Sequence, residues 1–202
     1  MSNETESANM SAAGQEASSS GLKGVIRIVL PIVIVFGLYQ GVMFGIRKYV
    51  DTKIEAPIGR PVEDFVLTDI DGGTWRASEL RGKAVILHFF RSQCVSCHAM
   101  KRDMKRFAKE LDAEKAQVLY LMVDKVQGFP EDMSARTILD MAFDGPVVMV
   151  DEAFVDAFYG SDWANVTPIT YLVNQEGQVA RALRGQQSYD ELKAFVPSSL
   201  FD

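Results

Sequence analysis

An uncharged apolar run from Ile28 to Ile46, 19 residues long, limits the folds open to this chain more than any other feature. At helical rise it spans roughly 28 Å, close to the hydrocarbon thickness of a bilayer. Lys23 and Arg27 precede it, Arg47 and Lys48 follow it, and Pro31 near its start is tolerated in membrane helices. A cleaved signal peptide fits less well. The apolar core is too long, the preceding stretch carries Glu4, Glu6 and Glu16, and no Ala-x-Ala-like site follows. The sequence thus predicts a disordered, Ser/Ala/Glu-rich tail over 1–22 and an uncleaved single-span anchor over 23–48. A linker over 49–61, punctuated by Pro57, Gly59 and Pro61, leads to one domain over 62–202. Tail and anchor removed, about 150 residues remain, enough for one core but not two.

Composition narrows the function. A net charge of −6 and a pI near 5.0 exclude a nucleic-acid partner that depends on a basic surplus. Two cysteines rule out a multi-disulfide scaffold, and two histidines restrict any metal site.

Beyond the linker, strand and helix signals alternate. Asp64–Thr68 and Thr74-Trp75 flank an Asp71-Gly72-Gly73 turn. Ala84–Phe90 (AVILHFF) and Gln117–Val123 (QVLYLMV) are continuous apolar runs, as in strands covered on both faces. Between them, Cys94–Leu111 places Cys97, Met100, Met104, Phe107, Ala108 and Leu111 on one helical face. Pro130 can open a helix through Phe143, and Pro146–Val150 is a third strand candidate. Glu152–Tyr159 reads as a short helix ended by Gly160. Ile169–Asn174 and Gln178–Arg184 flank a Gln175-Glu176-Gly177 hairpin turn, and Ser188–Val196 is a closing amphipathic helix. The pattern is α/β, a mixed sheet with helices on both faces.

The chemistry sits at Cys94-Val95-Ser96-Cys97-His98. A C-x-x-C directly after a buried strand and opening a helix meets the unpaired N–H groups of the helix N-terminus, which stabilise a thiolate on the first cysteine. The two-residue spacing lets the second sulfur close a disulfide, so thiolate attack, mixed disulfide and internal resolution follow.

From Phe65 to Gly185 the chain resembles the membrane-anchored, thioredoxin-like family that includes TlpA, ResA and other cytochrome c biogenesis thiol-disulfide oxidoreductases. The resemblance rests on DFVLTDIDGGTWRASELRGKAVILHFF, on CVSC and on VTPITYLVNQEGQVARALRG. It implies a thioredoxin-like fold with an N-terminal β extension, preceded by one transmembrane helix. It also implies Cys94 as nucleophile, Cys97 as resolving thiol, no cofactor, and a cis peptide at Thr167-Pro168 bordering the substrate groove. Its expected partners are a protein disulfide or dithiol substrate and a membrane or envelope redox partner, with cytochrome or metalloenzyme biogenesis as the setting. Its expected location is the bacterial inner membrane with the domain facing the periplasm. The charge asymmetry, with Lys23 and Arg27 before the span but Arg47, Lys48, Lys53 and Arg60 after it, leans the other way. Gln93 stands where the family usually has tryptophan, and Met100 and Arg102 stand where Glu and Pro are common. These departures bear on substrate choice and redox direction.

Other readings compete. CVSCH is also a c-type haem attachment pattern, with His98 as the axial ligand, although such motifs are embedded in a helical wrap. A metal-delivery module using a cysteine pair and a distant histidine lacks its ligand, because no histidine follows His98, and a zinc site is equally short. A peroxidase would carry threonine three residues before the cysteine, where Arg91 stands. A redox-inactive interaction module leaves the cysteine pair idle. His98 itself reads as a solvated residue of the first helical turn. His88 lies six residues before Cys94, where thioredoxins resemble one another in carrying a buried aspartate that manages protons for the second cysteine. An imidazole there is the candidate proton acceptor for Cys97.

Overall fold

The structure, a computed structural model, describes residues 4–201, with side chains from residue 27 onward. It divides into two units, 1–50 and 51–202. The first is most of helix α1 (Glu4–Glu55), whose stretch from Arg27 has a mean hydropathy of 2.1. Its side chains from Ile28 to Ile46 are almost all exposed, and by length and composition it suffices to cross a membrane.

Helical backbone begins at Glu4, inside the stretch read as tail, and continues to Glu55, past the expected end of the anchor. From Arg47 to Ala56 no proline or glycine interrupts the i→i−4 ladder; Pro57 stops it. Within the stretch read as a linker over 49–61, main-chain groups pair with the neighbouring hairpin. Gly59 N–H donates to the Val179 carbonyl, Val179 N–H to Arg60, and Val62 N–H to Gly177. Tyr171 Oη donates to the Ile54 carbonyl at 2.8 Å and Arg184 Nε to Asp51 Oδ1 at 2.6 Å. The segment is tied to a strand edge because its main-chain groups find partners there that water would otherwise supply.

In the second unit, β1 (Val66–Thr68) and β2 (Thr74–Arg76) form a separate antiparallel hairpin. Asp69 closes its turn by accepting from Asp71 N–H, Gly73 N–H and Trp75 Nε1. The central sheet has order β5-β4-β3-β6-β7. Strands β3 (Ala84–Phe90), β4 (Ala116–Met122) and β5 (Val147–Met149) run parallel, whereas β6 (Ile169–Val173) is antiparallel to both β3 and β7 (Val179–Arg184). Every residue of β3 is buried, as its unbroken apolar run requires of a central strand covered on both sides.

Side-chain alternation splits the core in two. Ala84, Ile86, Phe90, Val118, Tyr120 and Met122 pack with Met100, Met104 and Phe107 of α2 (Val95–Glu110) and with Tyr189, Leu192 and Phe195 of α5 (Tyr189–Phe195). Met141 of α3 (Glu131–Met141) joins this cluster. On the opposite face Phe89 contacts Phe154, Phe158 and Tyr159 from α4 (Glu152–Asp156) and the turn after it. The result is the expected α/β architecture: a mixed thioredoxin-like sheet with helices on both faces and a β extension ahead of it.

Candidate active site

The site forms where β3 ends and α2 begins. The apolar run stops at Phe90, Arg91–Gln93 turn away from the sheet, and Cys94 caps the helix with extended backbone. Cys94 and Cys97 are joined in a disulfide with Cα atoms 5.2 Å apart. Cys94 Sγ accepts the Cys97 N–H at 3.1 Å, doing with sulfur what Ser or Asp oxygen does at ordinary N-caps. Both cysteines are buried, Cys94 at 5% and Cys97 at 1% exposure, while Gln93 and Val95 beside them are exposed.

The Thr167–Pro168 peptide is cis. It brings the Thr167 carbonyl to 3.5 Å from Cys94 Sγ, so Cys94, Cys97, Thr167 and Pro168 lie together. In the disulfide form Cys94 has no proton, and this is a contact; a reduced Cys94 would have an acceptor in place.

His88 lies deeper, mid-strand in β3 and 1% exposed, with Nδ1 3.0 Å from Oγ1 of Thr170, its cross-strand partner. Phe90 stacks against it at 6.3 Å, and Tyr120 and Phe143 meet its ring edge-on. Burial pushes its pKa down to about 3, so the imidazole is neutral near pH 7. It shares the sheet face of Ile86 and Phe90, the face that also carries Cys97.

Sequence reasoning passes over the residues that hold the loop. Asp124, just beyond β4, is fully buried. Its carboxylate accepts Ser92 N–H at 2.8 Å, the Ser92 hydroxyl, and Ser134 Oγ at 2.7 Å from α3. The Ser92 carbonyl in turn accepts Cys94 N–H at 3.0 Å and faces His98 Nε2 at 3.1 Å. His98 Nδ1 lies 3.1 Å from Asp140 Oδ2, and Lys101 Nζ lies 3.5 Å from Oδ1 of the same carboxylate. His98 is exposed, as read, and its ring also bridges the cysteine loop to α3. The available signal is a charged residue, Asp124, closing an apolar strand; its orientation is not in the sequence. Among the described residues no group of three or more His, Cys, Asp or Glu side chains is arranged to hold a metal ion.

Comparison with known proteins agrees with this geometry. The AhpC/TSA family model matches residues 58–182, more than half of the chain. The thiol-disulfide oxidoreductase ResA of Bacillus cereus is 22% identical over 175 residues, covering 85% of this chain and 91% of the relative. ResA of Geobacillus thermodenitrificans is 24% identical over 173 residues, covering 85% and 95%. Among solved structures, StoA from Bacillus subtilis superposes with a TM-score of 0.54 at 18% identity, covering 66% of this chain and 96% of its own. A putative thiol:disulfide interchange protein DsbE from Chlorobium tepidum gives 0.53 at 19%, covering 66% and 89%. These two share the fold. Taken with the cysteine pair at the head of α2, the matches show that the chain belongs to the AhpC/TSA family and is a thiol-disulfide oxidoreductase of the ResA/TlpA type.

Proposed function

We propose that the protein exchanges disulfides with protein substrates through Cys94 and Cys97 while α1 tethers it to a membrane. The observation that carries this reading is the disulfide at the head of α2, with Cys94 Sγ accepting the Cys97 N–H and lying against the Thr167 carbonyl. The N–H donation and the helix N-terminus both stabilise negative charge on the Cys94 sulfur. In the reduced form the Cys94 thiolate attacks a substrate disulfide, one S–S bond breaks, and the departing substrate sulfur takes a proton. Cys97 then attacks Cys94 Sγ of the mixed disulfide, releases the second substrate thiol and regenerates the Cys94–Cys97 disulfide. Two electrons and two protons pass to the substrate; the reverse sequence oxidises a dithiol. An extended substrate segment pairs with the main chain at Thr167, where Pro168 contributes no competing N–H.

His88 accepts the Cys97 proton in this scheme only in passing. A pKa near 3 means that the imidazole does not retain it at neutral pH, so proton transfer accompanies attack by the Cys97 sulfur. The resemblance to a membrane-anchored family and the apolar helix support a domain facing the cell envelope, with assembly of cytochromes or metalloenzymes as the setting.

Cys97→Ser should trap Cys94 in a stable mixed disulfide, and mass spectrometry of the trapped complexes would identify substrates. Trapping by Cys94→Ser instead would reverse the two roles. A covalent haem absorption band in purified protein would overturn the thiol reading and establish CVSCH as a haem site.

A further inference from the structure

Ser92 is tied at every polar atom it owns. Its N–H and hydroxyl donate to the buried Asp124 carboxylate, while its carbonyl accepts Cys94 N–H at 3.0 Å and faces His98 Nε2 at 3.1 Å. The other ring nitrogen of His98, Nδ1, lies 3.1 Å from Asp140 Oδ2 on α3. Both nitrogens therefore face oxygens that only accept, a main-chain carbonyl and a carboxylate. A neutral imidazole owns one N–H and would set a bare lone pair against one of these oxygens. The imidazolium owns two and satisfies both. The carboxylate also supplies its counter-charge.

A helix does not offer this place to a cation by itself. Cys94 caps α2 and its carbonyl accepts His98 N–H at 3.1 Å, so the imidazole stands at the end of the first turn, where the helix dipole disfavours positive charge. That turn holds no acidic residue to offset the cost; Asp140 offsets it from another element, 42 residues away. The charged and titratable groups about the ring are Asp140, Lys101 with Nζ 3.5 Å from Asp140 Oδ1, Asp124 behind Ser92, and the cysteine pair one turn back along α2. The Cys94 sulfur changes charge during disulfide exchange, from neutral in the disulfide to anionic as the attacking thiolate. A cation one helical turn away lowers the cost of that anion.

We propose that His98, as its imidazolium, is a positioning residue for disulfide exchange: it clasps the cysteine loop to α3 through Ser92 and Asp140 and supplies positive charge that favours the Cys94 thiolate. The role rests on the disulfide-exchange reading above and deepens it. His98 keeps both N–H bonds throughout and gives no proton to the substrate; electrons and protons pass between the sulfurs as already described. When His98 loses its second proton at rising pH, one arm of the clasp and the charge go together. Cys94 then relies on the Cys97 N–H and the helix terminus alone.

The test follows the Cys94 thiolate in the reduced full-length protein, by its ultraviolet absorbance and by iodoacetamide alkylation, from acid to neutral pH. His98→Gln keeps an amide donor for the Ser92 carbonyl but not the charge, and at acidic pH it should hold about tenfold less thiolate than the parent. His98→Arg keeps a permanent cation and should retain most of the parent's thiolate, which a packing role would not predict. The second measurement is the NMR titration of the His98 ring, identified by its absence from His98→Gln. Reducing the disulfide should move that titration to higher pH, because the thiolate and the imidazolium favour each other by the same factor, and Asp140→Asn should move it to lower pH. Equal thiolate in the parent and His98→Gln, equal losses in His98→Gln and His98→Arg, or a ring titration unmoved by reduction overturns the proposal. The Cys97→Ser trap reads disulfide exchange independently. No trapped protein alongside a responsive thiolate removes the exchange reading and this role with it, whereas trapped substrates alongside an unresponsive thiolate remove the clasp alone.

Discussion

His88 illustrates how one residue can set a pH dependence for the whole domain. It is fully buried and its pKa lies near 3 when folded, against an ordinary value of 6.5. Between those values the unfolded chain takes up a proton that the folded chain refuses. The contribution of His88 is therefore fully present above pH 6.5 and is lost as pH falls toward 3, by about 1.4 kcal/mol per pH unit. Between pH 6.5 and 5 most carboxylates are still ionised, so the slope there isolates the histidine. His88→Phe should flatten the unfolding free energy over that range, measured by urea titration; an unchanged slope would assign the pH dependence to other groups. The same variant tests the proton role, since resolution of the mixed disulfide should slow about 10²-fold while the first attack by Cys94 is spared. Unchanged resolution in stopped-flow traces would leave His88 a packing residue. Asp124 makes the second prediction at this scale. Asp124→Ala strips Ser92 and Ser134 of a shared buried acceptor and should cost about 3 kcal/mol in denaturant unfolding. A loss within measurement error would show that the cysteine loop holds its shape without the carboxylate.

At the scale of elements, local chemistry explains most boundaries. Cys94 caps α2, Asp151 caps α4 by accepting Phe154 N–H, and Ser188 with Glu191 forms a reciprocal capping box on α5. Gly177, with φ of 79°, closes the β6–β7 hairpin at the turn expected from the sequence. The end of α3 is the exception. Ala142 occupies the left-handed region with φ of 45°, which a Cβ disfavours, and no glycine marks the stop. Ala142→Gly should stabilise the domain by about 1 kcal/mol and raise Tm by roughly 2–4 °C. A lower Tm would mean that glycine's freedom in the unfolded chain outweighs the relief.

For the whole molecule, the division at residue 50 predicts that 51–202 folds without the apolar helix. That fragment should remain in the soluble fraction and unfold cooperatively, whereas the full chain should sediment with membranes and resist alkaline extraction. A fragment that aggregates or melts without a transition would show that α1 is part of the fold. Orientation is decided by a membrane-impermeant thiol reagent. Labelling of reduced Cys94 in intact cells places the domain outside, and labelling only after lysis places it on the cytoplasmic side that the flanking charges favour.

The order of strands and helices, the apolar helix and the cysteine pair at a strand–helix junction are all legible in the chain, because periodicity, turn residues and capping are local and repeat over a few positions. The surroundings of the site are not. Ser92 meets Asp124 across 32 residues, His98 meets Asp140 across 42, and Cys94 meets Thr167 across 73. Such pairs arise only when parallel crossovers and one antiparallel strand bring separate strand ends to the same edge of the sheet. The bonds of Gly59–Val62 to the β6–β7 hairpin are hidden for the same reason: nothing local in that stretch announces where its main chain will pair. Register along the central strands, set by which faces are buried on both sides, decides which polar side chains meet at the cysteines.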